Sequence, residues 1–144
     1  MISKLNVLVI DDDPATTDMM SLILMPITSQ VIIANSGEEG INLARDCEPD
    51  FILLDLMMPD MSGAEIAAEI RKFSSTPILV LSAVNHPQLV ATALDNGADN
   101  FLRKPVSESI LLSQIRRMTS RSNRVEKALP ATKPLAECLT QKGR

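Results

Sequence analysis

Tryptophan and tyrosine are absent from this 144-residue chain, and 3 phenylalanines bring aromatics to only 2%. Without rings for successive bases to stack on, a platform for single-stranded nucleic acid is disfavoured. The core must be aliphatic and rich in methionine. Cysteine is scarce as well: Cys47 and Cys138 form no metal-ligand spacing. Both are expected as free thiols in a reducing cytoplasm. Long hydrophobic runs are missing too. The N-terminal MISKLNVLVI carries a six-residue run without a signal-peptide cleavage pattern. No stretch approaches the ~20 apolar residues of a membrane span.

What is present is 45% apolar residues, enough for one domain of ordinary size with a core of its own and a short appendage. Charge is unevenly spread. Residues 1–115 carry 6 Lys and Arg against 16 Asp and Glu, net −10, whereas residues 116–144 carry 8 against 2, net +6. An acidic body repels a nucleic-acid backbone, so any such contact would come through the tail. The tail has no helix-turn-helix or zinc-finger pattern, reads as a solvated linker, and leaves no expectation of direct nucleic-acid binding.

Four short apolar runs, Leu5–Ile10, Phe51–Leu54, Pro77–Leu81 and the weaker Gln30–Ala34, mostly lack alternation, as befits parallel strands buried on both faces. Asn100–Leu102 makes a short fifth. Helical stretches intervene. Asp13-Pro14 starts the first, with Met19, Leu22 and Ile23 on one face. Ser36-Gly-Glu-Glu39 and Ser62-Gly-Ala-Glu65 read as capping boxes for the second and third, leading into Ile41 and Ala44, and into Ile66 and Ile70. Pro87 opens the fourth, which stops at Gly97. Ser107 caps the fifth, with Ile110, Leu111, Ile115 and Met118 inward. Five βα units in succession predict an α/β domain over residues 1–119 with helices on both faces of a parallel sheet. Residues 120–144 form a basic tail containing Pro130 and Pro134, with room for a short helix near Leu135–Gln141.

Ligands of such sheets collect beyond the carboxyl ends of the strands. There the sequence places Asp11-Asp12-Asp13, Asp55, Ser82 and Lys104-Pro105. Crowded carboxylates repel one another unless a cation intervenes. Mg²⁺, which takes one or two protein carboxylates, suits Asp12 and Asp55 with Asp11 in support. A carboxylate beside Mg²⁺ with a lysine and a hydroxyl nearby is a site for an aspartyl phosphate, Asp55 attacking phosphorus while Lys104 neutralises the equatorial oxygens. Asp13, followed by Pro14, is a helix cap rather than a ligand. Asp60 reads as a cap or turn residue, Cys47 as a buried small hydrophobe, and His86 as a lone loop histidine.

The succession LVIDDDP, LLDLMMPDMSG, ILVLSA and FLRKP resembles the receiver domains of two-component response regulators over residues 3–119. The resemblance implies a three-layer (βα)5 flavodoxin-like fold with strand order 2-1-3-4-5. It also implies phosphorylation of Asp55 by a sensor histidine kinase or phosphotransfer protein, with Mg²⁺ as cofactor. By it, Asp11 and Asp12 match the acidic pair, the Met57 backbone carbonyl a further Mg²⁺ ligand, Ser82 the hydroxyl that follows the phosphoryl group, and Lys104 the matching lysine before a cis Pro105. Phe101 matches an aromatic switch residue. The output would be a changed face of fourth helix, fifth strand and fifth helix, read by an effector or a second copy. Such a chain is a cytoplasmic signalling phosphoacceptor, not a turnover enzyme. The apolar Met57 and Val84 flank the path of an attacking water and predict slow dephosphorylation. Two other classes stay open: a haloacid-dehalogenase-like phosphohydrolase, whose nucleophile would end the first strand, and a phosphorylation-independent interaction module on the same scaffold.

Overall fold

The computed structural model describes residues 4–83 and 86–126. Its elements run β1 (Leu5–Ile10), α1 (Pro14–Leu24), a 3₁₀ turn (Met25–Ile27), β2 (Thr28–Ala34), α2 (Gly37–Cys47), β3 (Phe51–Asp55), α3 (Gly63–Arg71), β4 (Ile78–Ser82), α4 (Pro87–Asp95), β5 (Asn100–Arg103) and α5 (Glu108–Glu126). All neighbouring strands pair in parallel, in the order β2-β1-β3-β4-β5. This is the flavodoxin-like arrangement the resemblance implied.

Alternate side chains of a strand point to opposite faces, and here both faces are covered. Leu8, Ile10, Ile52, Leu54, Ile78 and Val80 pack under α2, α3 and α4. Val7, Val9, Phe51, Leu53, Leu79 and Leu81 pack under α1 and α5. That double burial explains why β1, β3 and β4 read as continuous apolar runs rather than alternating ones.

Local chemistry sets the helix starts. Asp13 Oδ1 accepts from the Ala15 N–H at 3.1 Å, and Pro14 occupies the first turn. Ser62 and Glu65 form the full reciprocal box, at 3.2 and 3.3 Å. The predicted box at α2 is modified. Ser36 Oγ accepts from the Glu39 N–H at 3.1 Å, but the Glu39 carboxylate reaches one residue further back, to the Asn35 N–H at 2.9 Å.

Two helix faces differ from expectation. In α1 the buried residues are Thr17, Met20 and Leu24, whereas Met19 and Leu22 face outward, Leu22 with 68% of its surface exposed. A threonine can face inward there because its hydroxyl donates to the Pro14 carbonyl at 3.0 Å. In α5, Leu111 and Ile115 are buried and Ile110 is exposed. α5 continues to Glu126, past residue 119; the region near Leu135–Gln141 and Cys138 lie outside the described residues.

Gly40 lets α2 approach the sheet. A Cβ there would stand 2.6 Å from Ile10 Cδ1 and 2.8 Å from its Cγ1. Alanine would gain about 1 kcal/mol of helix propensity. Overpacking against a buried, β-branched side chain costs about 1–3 kcal/mol and should prevail. Gly40→Ala is therefore expected to lower the urea midpoint; an unchanged midpoint would mean that Ile10 repacks freely.

Candidate functional site

The carboxyl ends of β1, β3 and β4 lie side by side because these strands are the three central ones of the sheet. Asp11 follows β1 directly and is buried. Its N–H donates to the Ala34 carbonyl at 3.0 Å, and its carbonyl accepts from Asn35 Nδ2 at 3.0 Å. Asp11 Oδ1 accepts from the Asp13 N–H at 3.0 Å. Asp12, next in the chain, is exposed. Asp55 ends β3 with its side chain only 11% exposed. Carboxylate oxygens of Asp11, Asp12 and Asp55 all lie within 4.8 Å of one another.

Among the described residues, one cation enters this group. Lys104, which follows β5, places Nζ 3.2 Å from Asp11 Oδ2 and 3.6 Å from Asp55 Oδ1. Its own N–H donates to the Ser82 carbonyl at 2.8 Å, fastening the segment after β5 to the end of β4. The Lys104–Pro105 peptide is cis. Ser82 is buried at the end of β4.

Burial raises the Asp55 carboxyl above its ordinary value of 3.8, and the negative charges of Asp11 and Asp12 add to the rise. Lys104 and the N–H of Met57, which donates to this carboxylate, oppose it. Folded Asp55 thus holds its proton more tightly than the unfolded chain does, so its contribution to stability falls as pH rises from 3.8 through the raised folded value. Without divalent cations, urea titrations across that interval should show wild-type protein losing stability relative to Asp55→Asn. Parallel curves would contradict the burial argument.

Three hard oxygen donors gathered beside a single ammonium fit a hard divalent cation better than a softer metal. Met57 lies in the loop after β3, next to the cluster through the hydrogen bond of its N–H to Asp55. Its backbone pairs with Ser62 in an isolated antiparallel bridge, and its side chain is 51% exposed. Met20 and Met58 are buried, while Met19 and Met25 are exposed. Phe101 lies on β5, paired with Val80 in register and 38% exposed. His86, exposed, immediately precedes α4 and makes no side-chain cap. Val84 lies outside the described residues.

The sequence signals missed two contacts. Asp60 does cap a helix, but not its own: its carboxylate accepts from the Gly37 N–H at 3.0 and 3.1 Å and from the Glu38 N–H at 3.3 Å, at the start of α2. These donors, that of Gly37 foremost, hold the Asp60 carboxyl below the usual carboxylate range. The Asn35 contact to Asp11 was equally hidden, since both cross more than 20 residues of sequence.

A doubly wound sheet carries Asp11, Asp12 and Asp55 beyond the carboxyl ends of its central strands β1 and β3, with Lys104 reaching them from the edge strand β5. The chain belongs to the response regulator receiver domain family, whose model matches residues 7–116. It is 37% identical over 119 residues to the transcriptional regulatory protein AfsQ1 of Streptomyces coelicolor, covering 83% of this chain and 53% of that one. It is 35% identical to the DNA-binding dual master transcriptional regulator RpaA of Synechocystis, covering 85% and 52%. The chain thus spans about half the length of these curated relatives. Among solved structures, a two-component response regulator from Clostridium difficile superposes with a TM-score of 0.77 at 26% identity, covering 83% of this chain and 99% of that one. The response regulator domain of Thermotoga maritima CheB gives 0.74 at 28% identity, covering 81% and 97%. No helix among the described residues is long and apolar enough to cross a membrane.

Proposed function

We propose that Asp55 is the phosphoacceptor of a two-component phosphorelay. The observation that carries this is the half-buried Asp55 carboxylate lying among two further aspartates and the Lys104 ammonium at the strand ends. An Asp55 oxygen attacks the phosphorus of a donor phosphohistidine; the new acyl phosphate forms as the P–N bond breaks, and the imidazole nitrogen takes up a proton. Asp12, Asp55 and the Met57 carbonyl would hold Mg²⁺, with Asp11 in support, and the bound ion supplies charge neutralisation to the transferring oxygens. Lys104 answers the same charge from the β5 side.

The product adds roughly two negative charges and three acceptor oxygens. Ser82 moves toward them, Phe101 turns inward, and the α4, β5, α5 face shifts its population toward a second arrangement. An effector, or a second copy of the domain, reads that face. Residues 1–119 act as the receiver and 120–144 as a basic tail. AfsQ1 and RpaA are regulators of transcription; an output of that kind in this system would be controlled through the switching face. The phosphohydrolase alternative would need its nucleophile at the end of β1 in a motif with Gly-Thr, which Asp11-Asp12-Asp13-Pro14 lacks.

Mg²⁺-dependent transfer of one phosphoryl group from acetyl phosphate, read by intact mass, tests the reading; no incorporation would favour the phosphorylation-independent module. Met57 also sets the lifetime of the product. Its thioether, at best a weak acceptor, is poorly suited to orient a water by hydrogen bonding. Met57→Asn is expected to speed dephosphorylation roughly 10-fold, about 1.4 kcal/mol of barrier. Identical decay of both phosphoproteins would count against that role.

A further inference from the structure

The loop after β1 and the loop after β3, which present the acidic oxygens, are both fastened to one short segment. Asn35 Nδ2 donates to the Asp11 carbonyl at 3.0 Å, while the Asp11 N–H donates to Ala34 at 3.0 Å, so the Asp11 peptide is held from both ends by residues 34 and 35. Asp60, at the tip of the loop closed by the Met57–Ser62 bridge, accepts from the Gly37 and Glu38 N–H groups at 3.0–3.3 Å. Between these anchors the segment is braced internally. Glu39 accepts from the Asn35 N–H at 2.9 Å, and Ser36 Oγ accepts from the Glu39 N–H at 3.1 Å.

Mg²⁺ tolerates little departure from octahedral geometry at about 2.0–2.1 Å. The spacing between the Asp12 loop and the Met57 loop therefore decides how well both can contribute oxygens to one ion. We infer that residues 35–38 form a bridge between the two loops, and that Asn35 and Asp60 are positioning residues that set this spacing and hence metal affinity. Neither contributes an oxygen to the ion. This rests on the reading of the acidic pocket as a Mg²⁺ site. Outer contacts that orient ligands change metal affinity about 10–100-fold when removed, and the two anchors act on opposite sides of the same gap.

Isothermal titration of the full chain with MgCl₂ tests the bridge, since the chain has no Trp or Tyr to report binding. Asn35→Ala and Asp60→Ala should each raise the Mg²⁺ Kd about 10-fold. Asp60→Asn, which keeps one acceptor oxygen, should raise it less. The double variant should lose less than the product of the two single effects, because one cut already frees the gap. Both side chains are exposed, and urea unfolding checks that each variant is folded. Asp99→Ala is the control for destabilisation alone. Asp99 accepts from Arg71 and from the Ile78 N–H, both at 2.8 Å, at the amino-terminal end of β4, so its loss should lower stability and leave Kd unchanged. Variants that bind Mg²⁺ as the wild type does, or an Asp99 variant weakened equally, would overturn the bridge. A wild-type chain that takes up no Mg²⁺ would remove the reading of the pocket itself, and the bridge with it.

Discussion

Asp55→Asn should end phosphoryl incorporation from acetyl phosphate entirely, while the metal-free protein becomes harder to unfold at neutral pH. The two effects share one cause. The proposed acceptor is a half-buried carboxyl in a place that disfavours charge, with two other carboxylates whose oxygens lie within 4.8 Å. An amide of the same shape keeps the packing, removes the charge and with it the nucleophile. It also leaves Lys104 paired with Asp11 at 3.2 Å, so no cation is stranded. Gain of stability with loss of labelling separates a reactive carboxylate from a structural one, whose removal would weaken the fold. Residual labelling of the variant at the wild-type rate would transfer the acceptor role to another side chain. Asp12 is the first to examine.

Lys104→Met should slow phosphorylation about 10²-fold, the usual cost of removing one preorganised charge partner, or roughly 2.7 kcal/mol of barrier. Methionine preserves the length of the stem and deletes only the ammonium. Mg²⁺ affinity should hold or rise, because Asp11 and Asp55 lose a competitor located 3.2 and 3.6 Å away. The split is the diagnostic result: slower transfer with undiminished metal binding. A variant whose rate stays within a few-fold of wild type would reduce Lys104 to a counter-charge of the resting state. A collapse of Mg²⁺ affinity would instead make it a structural support of the pocket.

Much of this was readable in the chain because its signals are local. Strands buried on both faces produce unbroken runs such as FILL, and a strand end followed by Asp or Lys marks the rim where a ligand can lie. Helix starts were readable for the same reason: Asp13-Pro14 and Ser62 to Glu65 act within one turn. The errors came where local pattern and tertiary contact disagree. Thr17 turns inward because a backbone carbonyl satisfies its hydroxyl, which rotates the apolar face of α1 away from Met19 and Leu22. Ile110 is apolar yet exposed, since Leu111 and Ile115 already fill the contact of α5 with the sheet. Glu39 passes over its expected partner for Asn35, and Asp60 serves a helix that begins 23 residues before it. No periodicity or spacing rule carries such pairings, because they arise only when separate loops meet at one end of a finished sheet.

The sheet works as a bulkhead. Residues 7, 9, 51 and 53 face one compartment and residues 8, 10, 52 and 54 the other, and among the described residues no buried hydrophobic cluster spans both. A cavity cut beneath α1 and α5 therefore opens away from the side chains that seat α2, α3 and α4.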